Sequence, residues 1–439
     1  MVRQEIKKLI KREDIGAISL WFTDVLGQLK TVTVSGKEIN DVMESGKFID
    51  GSSIQGFSRI EESDLLLIPD LTTFAILPFD FKGLKMARLI CDVIYPDGRP
   101  YPSCPRQILK NILAKAAKKG YTMYCGPELE YFYFKNSHST EPMDQGTYFD
   151  LLNIDEGSKL RELTLATLEN IGIQCECTHH EVAPSQHEIG LKYREALKMA
   201  DQVITYRFIV KTVAQQNGTY ATFMPKPLFG VNGSGMHTHM SLFKNNKNIF
   251  YDKKDKYNLS AIAKNYVAGI MKYCHDFCMV TNQYINSYKR LVPGYEAPVY
   301  LAWGRQNRSA LIRIPATRPG KEKACRIEYR APDPACNPYL AFAVMLGAGL
   351  KGIDDKLSLG NATEQDIYEM DEEIKHKNGI KSLPGSLKEA TDCFNASKLM
   401  KEILGDDLHK KLVTNKTIEW DQYRTFVTDF EIKRYLPII

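Results

Sequence analysis

The chain has 439 residues, of which 44% are hydrophobic and 25% are charged, a balance typical of a soluble globular protein long enough for two domains. Its 58 basic and 53 acidic residues leave a formal net charge of +5, which gives no reason to expect a nucleic-acid partner. The longest apolar run, Tyr339–Ile353, is too short and too glycine-rich to span a membrane and predicts a buried helix. Neither a nucleic-acid nor a membrane partner is therefore expected.

The first hundred residues predict a small α+β unit. The opening stretch "MVRQEIKKLIKRED" indicates a basic amphipathic helix rather than a signal peptide. Residues 16–35 predict two strands joined by a turn at Gly27, and a short helix ends at Gly46. Strand-like runs follow at "DLLLIPD", "FAILPFD" and "MARLICDVI".

A proline-rich stretch marks the expected domain boundary. Tyr95–Gln107 contains four prolines and one glycine, which predicts domains at 1–103 and 104–439. A helix capped at Gly120 follows, and the chain is expected to be mostly helical from Pro338 onward. The ten cysteines show no repeated pair with zinc-ligand spacing, so reduced thiols in a cytoplasmic protein are favoured.

Three predicted strands carry charged or metal-binding side chains on alternate positions. Side chains two residues apart share one face of a strand. The segments are "GPELEYF", "GMHTHMS" and "CRIEYR", and they supply Glu128 and Glu130; His237, His239 and Ser241; and Arg326, Glu328 and Arg330. A solvated sheet face is the alternative, but the restriction to Glu, His and Arg favours a functional site.

A fourth segment, "HHEVAPSQHEIG", holds two more carboxylates. Glu181 and Glu188 lie seven residues apart with Pro184 between them, and we expect a loop that folds both back to one point. Five carboxylates and one imidazole are a ligand set for Mg²⁺ or Mn²⁺, with two or more ions the better count. Such clusters commonly serve phosphoryl transfer.

Arginines supply the second half of the predicted site. Arg290, Arg308 and Arg313 join the two arginines of the third strand. Guanidinium groups bind carboxylate and phosphate at two points, which indicates an anionic substrate beside a nucleotide. A surface ion pair is the alternative for any single arginine. A general metal-binding module leaves the arginines unexplained.

Seven ordered segments of the chain resemble type I glutamine synthetases. They are "DGSS", "GPELEYF", "HHEVAPSQHE", "MPKPLFGVNGSGMHTHMSL", "KRLVPGYEAP", "NRSALIRIP" and "RIEYRAPDPACNPYLAF", spanning Asp50 to about Ile353. The short span between Glu130 and Glu181, and the segment "GFSRIEESD", resemble the alpha subgroup. The resemblance implies an α+β fold, with a small β-grasp N-terminal domain and a catalytic domain whose antiparallel sheet is flanked by helices. It also implies a dodecamer of two hexameric rings with active sites between subunits.

The resemblance also implies a role for each position. Two ions would be held by Glu130, Glu181 and Glu188, and by Glu128, His237 and Glu328. ATP would be met by His239, Ser241, Lys323 and Arg326, with Glu176 and Tyr193 matched by spacing. Glutamate would be bound by Asn232, Gly233, Arg290 and Arg330, and phosphate by Arg308 and Arg313. Glu296 resembles a flap carboxylate, and Asp50 resembles the group that attracts and deprotonates ammonium.

The implied reaction is the ATP-dependent ligation of ammonia to the side chain of L-glutamate through γ-glutamyl phosphate, giving glutamine, ADP and phosphate. A γ-glutamyl-amine ligase is the nearest alternative, and Asp50 with Ser53 favours ammonia. A non-catalytic relative is the other alternative, but no metal-ligand position is missing.

Two positions bear on regulation. Arg59 lies in "GFSRIEESD", where the alpha subgroup uses an arginine for feedback by glutamine; a surface ion pair with Glu61 or Glu62 is the alternative. Tyr368 stands where beta-subgroup enzymes carry an adenylylated tyrosine, but its acidic and then basic neighbours predict that it is not modified. Other metabolites or a regulatory protein are further possible effectors.

Overall fold

A computed structural model describes residues 3–52, 54, 64–151, 156–305, 307–377 and 379–439. Four positions named from the sequence, Ser53, Arg59, Glu61 and Glu62, lie outside these described residues.

The N-terminal unit is a sheet with two helices. Its elements are α1 (Arg3–Glu13), β1 (Ile15–Thr23), β2 (Leu29–Ser35), α2 (Ile39–Ser45), β3 (Lys47–Asp50), β4 (Asp64–Phe81) and β5 (Leu84–Ile94). Within the described residues the strand order is β2-β1-β5-β4-β3, with β1 and β5 parallel and the other neighbours antiparallel. The predicted helices and the turn at Gly27, with φ of 77°, are confirmed.

One prediction for this unit was wrong. The runs "DLLLIPD" and "FAILPFD" were expected to be separate strands, but both belong to β4. The pairing of β4 with β5 shifts register between Asp70 and Ala75. There Asp70 accepts hydrogen bonds from the backbone N–H and the hydroxyl of Thr72, so the chain bulges without leaving the sheet.

The second unit is built on a larger mixed sheet. Its strands are β6 (Thr122–Phe134), β7 (Cys175–His180), β8 (Gln186–Leu191), β9 (Arg194–Glu195), β10 (Tyr220–Thr222), β11 (Met236–Lys244), β12 (Lys247–Asn248), β13 (Tyr300–Gly304), β14 (Ala310–Arg313) and β15 (Ile327–Tyr329). The main order in the described chain is β13-β14-β15-β11-β6-β8-β7. All pairs are antiparallel, as predicted, except the parallel pair β13–β14.

Helices flank this sheet and dominate the last third of the chain, as predicted. They are α3 (Pro105–Lys118), α4 (Ser158–Asn170), α5 (Ala196–Gln216), α6 (Ala261–Thr281), α7 (Ser287–Arg290), α8 (Pro338–Asp354), α9 (Glu372–Lys377), α10 (Leu387–Ala396), α11 (Lys398–Leu404), α12 (Asp406–Arg424) and α13 (Asp429–Tyr435). The apolar run forms α8, which is buried along most of its length. Among the described residues, no helix has the length and apolar character needed to cross a membrane.

A buried arginine joins the two units. Arg106, on α3, lies 2.7 Å from Asp70 of β4, 2.8 Å from Asp92 of β5 and 3.0 Å from Asp201 of α5. The Tyr339 hydroxyl donates a further hydrogen bond to Asp201. The predicted boundary between 1–103 and 104–439 falls in the segment between β5 and α3 and stays a prediction. All ten cysteines are free thiols.

Candidate active site

The pairing of five strands brings many of the predicted site residues to one face of the sheet. Residues directly opposite each other on antiparallel strands project from the same face. Across β6 and its neighbours, His237 lies opposite Glu128, and Glu188 lies opposite Glu130. Two strands further along, Glu328 lies opposite both His239 and Arg313. The alternating pattern therefore marks a continuous row of functional side chains.

The segment "HHEVAPSQHEIG" differs from the expectation. It is a hairpin of β7 and β8, and only residues 181–185 form a loop. The reason is that β8 is buried in the sheet and pairs along its length with β6 and β7. The expected convergence does occur, because ligand atoms of His179, Glu181 and Glu188 all lie within 4.8 Å of one another.

A cavity of about 410 Å³ opens above this face. It is lined by the predicted metal, glutamate and phosphate residues: Glu128, Glu130, Glu181, Glu188, His237, Glu328, Asn232, Gly233, Arg290, Arg330, Glu296, Arg308 and Arg313. The structure thus brings together groups that are separated by up to two hundred residues of sequence.

Two carboxylates that line the cavity have pKa values above the usual range. Glu130 is 7% exposed, and burial together with the neighbouring Glu181 raises its pKa to about 8. Burial, Glu128 and Glu130 raise the pKa of Glu188 well above its usual value. In the described part of the chain the Glu188 carboxylate receives no hydrogen bond. Buried carboxylates in this state need a cation or a proton.

A second group of carboxylates lies beside the two histidines of β11. His237 Nδ1 lies 3.6 Å from Glu128 and 3.8 Å from Glu328, and His239 Nε2 lies 2.9 Å from Glu128. Burial opposes ionisation of Glu128, but His239 and His237 outweigh it and lower its pKa. Arg326 Nε donates to His239 Nδ1, so the His239 proton lies on Nε2 and faces Glu128.

The arginines on this face differ in how many of their guanidinium donors already make hydrogen bonds. Arg290 is buried, and its Nη1 and Nη2 atoms donate to backbone carbonyls of residues 330–332. Arg313 donates to Glu328, and Arg308 is exposed at the rim. Arg330 donates only through Nη1 to Glu328, at 3.3 Å, while its buried Nε has no hydrogen-bond partner among the described residues. Arg330 therefore has donor capacity left for an anionic ligand.

The glycines before β11 are required by close packing. A Cβ atom at Gly233 would lie 2.3 Å from the Pro225 carbonyl oxygen, and one at Gly235 would lie 2.7 Å from Arg290 Nη2. A side chain at either position would displace Arg290 or the backbone. The Gly235 N–H also donates to Glu130, at 3.0 Å.

A second cavity of about 420 Å³ adjoins the first, and Glu128 and Glu188 line both. It is lined by all the residues predicted to contact the nucleotide: Glu176, Tyr193, His239, Ser241, Lys323 and Arg326. Their side chains offer donors, acceptors and an aromatic ring around a space of nucleotide size.

A surface segment borders the mouth of the first cavity. Glu296 is exposed, has a φ of 53° and accepts a hydrogen bond from Asn232 at 3.2 Å. Such a positive φ is uncommon outside glycine and is found where the surroundings hold the backbone in place.

Asp50 is the predicted site residue that stands apart. It ends β3, is exposed, and accepts from the N–H and hydroxyl of Ser52. Asp50 is not among the described residues that line the first or the second cavity.

Sequence reasoning missed six residues that line the first cavity: Tyr148, His179, Val182, Gln186, Tyr295 and Ala297. Gln186 is 1% exposed, and its Nε2 donates to Glu130 at 2.8 Å and to the Gly233 carbonyl at 3.1 Å. The signal was present, because Gln186 precedes Glu188 by two residues and His179 precedes Glu181 by two. The spacing of this segment predicts a loop, in which side chains two residues apart need not share a face.

The fold and the two cavities define an enzyme of the class that joins an anionic substrate to a second reactant with a nucleotide and metal ions. Comparison with known proteins identifies the family. Residues 14–96 match the family model described as "Glutamine synthetase, beta-Grasp domain", and residues 102–435 match "Glutamine synthetase, catalytic domain". The chain belongs to the glutamine synthetase family.

Individual relatives agree with this assignment. The glutamine synthetase of Methanosarcina mazei is 47% identical over 100% of this chain and 98% of the relative, and that of Thermotoga maritima is 48% identical over 99% and 100%. A solved GmaS/ADP complex superimposes with a TM-score of 0.90 at 30% identity, covering 98% of this chain and 99% of that one. A cryo-EM structure of Plasmodium falciparum glutamine synthetase gives a TM-score of 0.89 at 27% identity, covering 99% of both.

The predicted family, fold and activity are confirmed. The chain is an enzyme that forms glutamine from glutamate and ammonia in an ATP-dependent reaction, and the family uses divalent metal ions.

Proposed function

We propose that the first cavity holds glutamate and two or more divalent cations, Mg²⁺ or Mn²⁺, and that the adjoining cavity holds ATP. The observation that carries this proposal is the convergence of five carboxylates on one cavity, with Glu188 buried and without a hydrogen-bond donor among the described residues. Oxygen-rich donor sets of this kind suit hard cations. One ion is assigned to Glu130, Glu181 and Glu188, and the other to Glu128, His237 and Glu328.

The cations supply charge neutralisation for phosphate oxygens during transfer. The protein's own groups do the rest. Arg330 and Asn232 hold the glutamate substrate, with Gly233 and Arg290 shaping the pocket around it. His239, Ser241, Lys323 and Arg326 hold ATP, together with Glu176 and Tyr193, while Arg308 and Arg313 face the transferred phosphoryl group.

The reaction requires activation of a poor electrophile. The glutamate side-chain carboxylate attacks the terminal phosphorus of ATP, ADP leaves, and γ-glutamyl phosphate forms. Ammonium then gives up a proton, with Asp50 as the acceptor, and the resulting ammonia attacks the carbonyl carbon and expels phosphate. Glu296 closes over the intermediate and excludes water.

The metal assignment is tested by titrating Mn²⁺ into the Glu181→Gln and His237→Ala variants. Each should lose one class of bound ion and most of the glutamine-forming activity while retaining its fold. The exposed Glu402→Ala variant on α11 is the control. Unchanged ion binding and activity in both site variants would contradict the assignment.

We further propose a dodecamer of two hexameric rings in which a neighbouring chain supplies Asp50. Asp50 is exposed and absent from the cavity walls of its own chain, and the nearby Phe48 is 61% exposed. The C-terminal residues Leu436, Ile438 and Ile439 are also largely exposed, as expected for surfaces covered by assembly. Isolated monomers should therefore be inactive.

Co-assembly of two inactive variants tests the shared site. Asp50→Ala chains mixed with Glu328→Ala chains should regain partial activity, because some interfaces combine two intact halves. No recovery in confirmed mixed oligomers would place the whole site within one chain.

The remaining assignments concern regulation and setting. We assign the chain to the alpha subgroup and to the cytoplasm, with Arg59 mediating feedback by glutamine. Arg59→Ala should relieve inhibition by glutamine, and unchanged inhibition would count against this role. Tyr368 should carry no AMP in protein from the native host, as mass spectrometry can check. The engagement of its hydroxyl within the protein supports that prediction.

A further inference from the structure

A tyrosine outside the proposed chemistry contacts the segment that carries Glu296. The Tyr368 hydroxyl donates a hydrogen bond to the Ala297 carbonyl oxygen, at 2.5 Å. The Tyr368 ring is half-buried and lies at an angle of 58° to that of Tyr300, with centroids 6.0 Å apart. This hydrogen bond connects the turn at residues 367–370 to the rim of the first cavity.

The hydrogen bond from Tyr368 is made next to a residue with an uncommon backbone conformation. Ala297 is 1% exposed and directly follows the exposed Glu296, whose φ of 53° is uncommon for a residue with a side chain. Tyr368 therefore holds the segment at the point where its exposed part enters the core. A restraint on the Ala297 carbonyl also restrains the peptide unit that leads back to Glu296.

Other contacts fix the two flanks of the segment but not this point. On one side the Lys226 ammonium lies 3.9 Å from the centre of the Tyr295 ring. On the other side the Val299 carbonyl accepts from the Leu383 N–H at 2.8 Å. The Tyr368 bond lies between these anchors and is nearest to Glu296 on its C-terminal side.

The hydroxyl remains a donor under working conditions. Burial raises the pKa of Tyr368 to about 12, although the guanidinium groups of Arg330 and Arg290 act in the opposite direction.

We propose that Tyr368 is a positioning residue, which sets the backbone of Glu296 through the Ala297 carbonyl so that the segment closes correctly over the activated glutamate. This inference rests on the proposed role of Glu296 in excluding water. Without the hydrogen bond the segment closes less completely. Water then attacks the carbonyl carbon of the acyl phosphate, phosphate leaves, and glutamate is regenerated without forming glutamine.

The test is the amount of phosphate released per glutamine formed. Tyr368→Phe keeps the ring and removes the donor. We expect this ratio to rise above the value of the unmodified enzyme, and glutamine formation to slow about fivefold, the effect expected for one hydrogen bond. The melting temperature should barely change. Tyr300→Phe is the matched control, because the Tyr300 hydroxyl accepts a hydrogen bond from Lys375 and not from the segment that carries Glu296.

A third variant distinguishes the proposed role of Glu296 from that of Tyr368. Glu296→Ala should raise the ratio more than Tyr368→Phe does. If Glu296→Ala leaves the ratio unchanged, the proposed role of Glu296 is wrong. If Glu296→Ala raises it but Tyr368→Phe behaves like Tyr300→Phe, the role of Glu296 stands and the positioning role of Tyr368 is overturned.

Discussion

Two buried clusters of carboxylates in this protein are treated in opposite ways. At the junction of the two units, Asp70, Asp92 and Asp201 converge on Arg106 at distances of 2.7 to 3.0 Å. In the first cavity, Glu130 and Glu188 face each other across β6 and β8, and no guanidinium group of the described residues pairs with either.

The difference appears in the ionisation of the two clusters. Burial opposes ionisation of Asp70, but hydrogen bonds from Thr72 and Arg106 hold its pKa below the usual value. Burial and neighbouring carboxylates raise the pKa of Glu130 to about 8. The chain thus supplies its own cation where charge joins two units, and leaves charge without a guanidinium partner where we propose that an external cation binds.

The largest expected effect concerns the carboxylates that line the first cavity. Glu130→Ala or Glu328→Ala should lower glutamine formation by at least about 10²- to 10³-fold, because charge on the transferred phosphoryl group would lose its stabilisation. The melting temperature of either variant should stay close to that of the unmodified protein. Full activity in either variant would mean that the cluster does not serve catalysis.

The paired cluster should respond through stability instead. Arg106→Met removes the guanidinium from the buried Asp201 and the half-buried Asp70 and Asp92, of which only Asp92 keeps another ion-pair partner in the described part of the chain, Lys110. This change should cost about 3–5 kcal/mol of unfolding free energy. Arg99→Met is the matched control, because Arg99 pairs with Asp97 at 2.7 Å on the surface and should change stability little. Equal urea midpoints for the two variants would show that the junction cluster carries no stability.

A smaller effect is expected where the chain does support the unpaired cluster. Gln186→Leu removes the donor that links Glu130 to the Gly233 carbonyl, and should weaken Mn²⁺ binding or activity about 10- to 100-fold. Gln215→Leu, at an exposed position on α5, is the control. Unchanged Mn²⁺ affinity and activity in Gln186→Leu would show that Gln186 does not support the proposed ion site.

The smallest expected effect is a dependence of stability on pH. The folded-state pKa of Glu130 is raised, so its contribution to the stability of the metal-free protein is present at low pH and is lost as pH rises towards about 8. Melting temperatures without metal should fall over this range, and saturating Mg²⁺ should remove the fall. A metal-free melting temperature that stays constant between about pH 5 and about pH 8 would argue against a raised pKa of Glu130.

Local sequence pattern predicted much of this molecule, because a strand's alternation is written in adjacent residues. The rows containing Glu128, His237 and Glu328 were visible in that way, as was the turn at Gly27. The role of Arg106 was not visible, since its three partners come from distant strands and a helix. Gln186 was missed because the spacing of its segment predicts a loop, whereas in strand β8 it lies on the same face as Glu188.

The count of bound cations tests the central claim most directly. Equilibrium dialysis of the metal-free enzyme against Mn²⁺ should give two or more ions per chain, with one fewer in Glu130→Ala and no change in Asp92→Asn at the paired junction. Fewer than one ion per chain, or a count that Glu130→Ala leaves unchanged, would contradict the claim that the unpaired carboxylates are completed by metal.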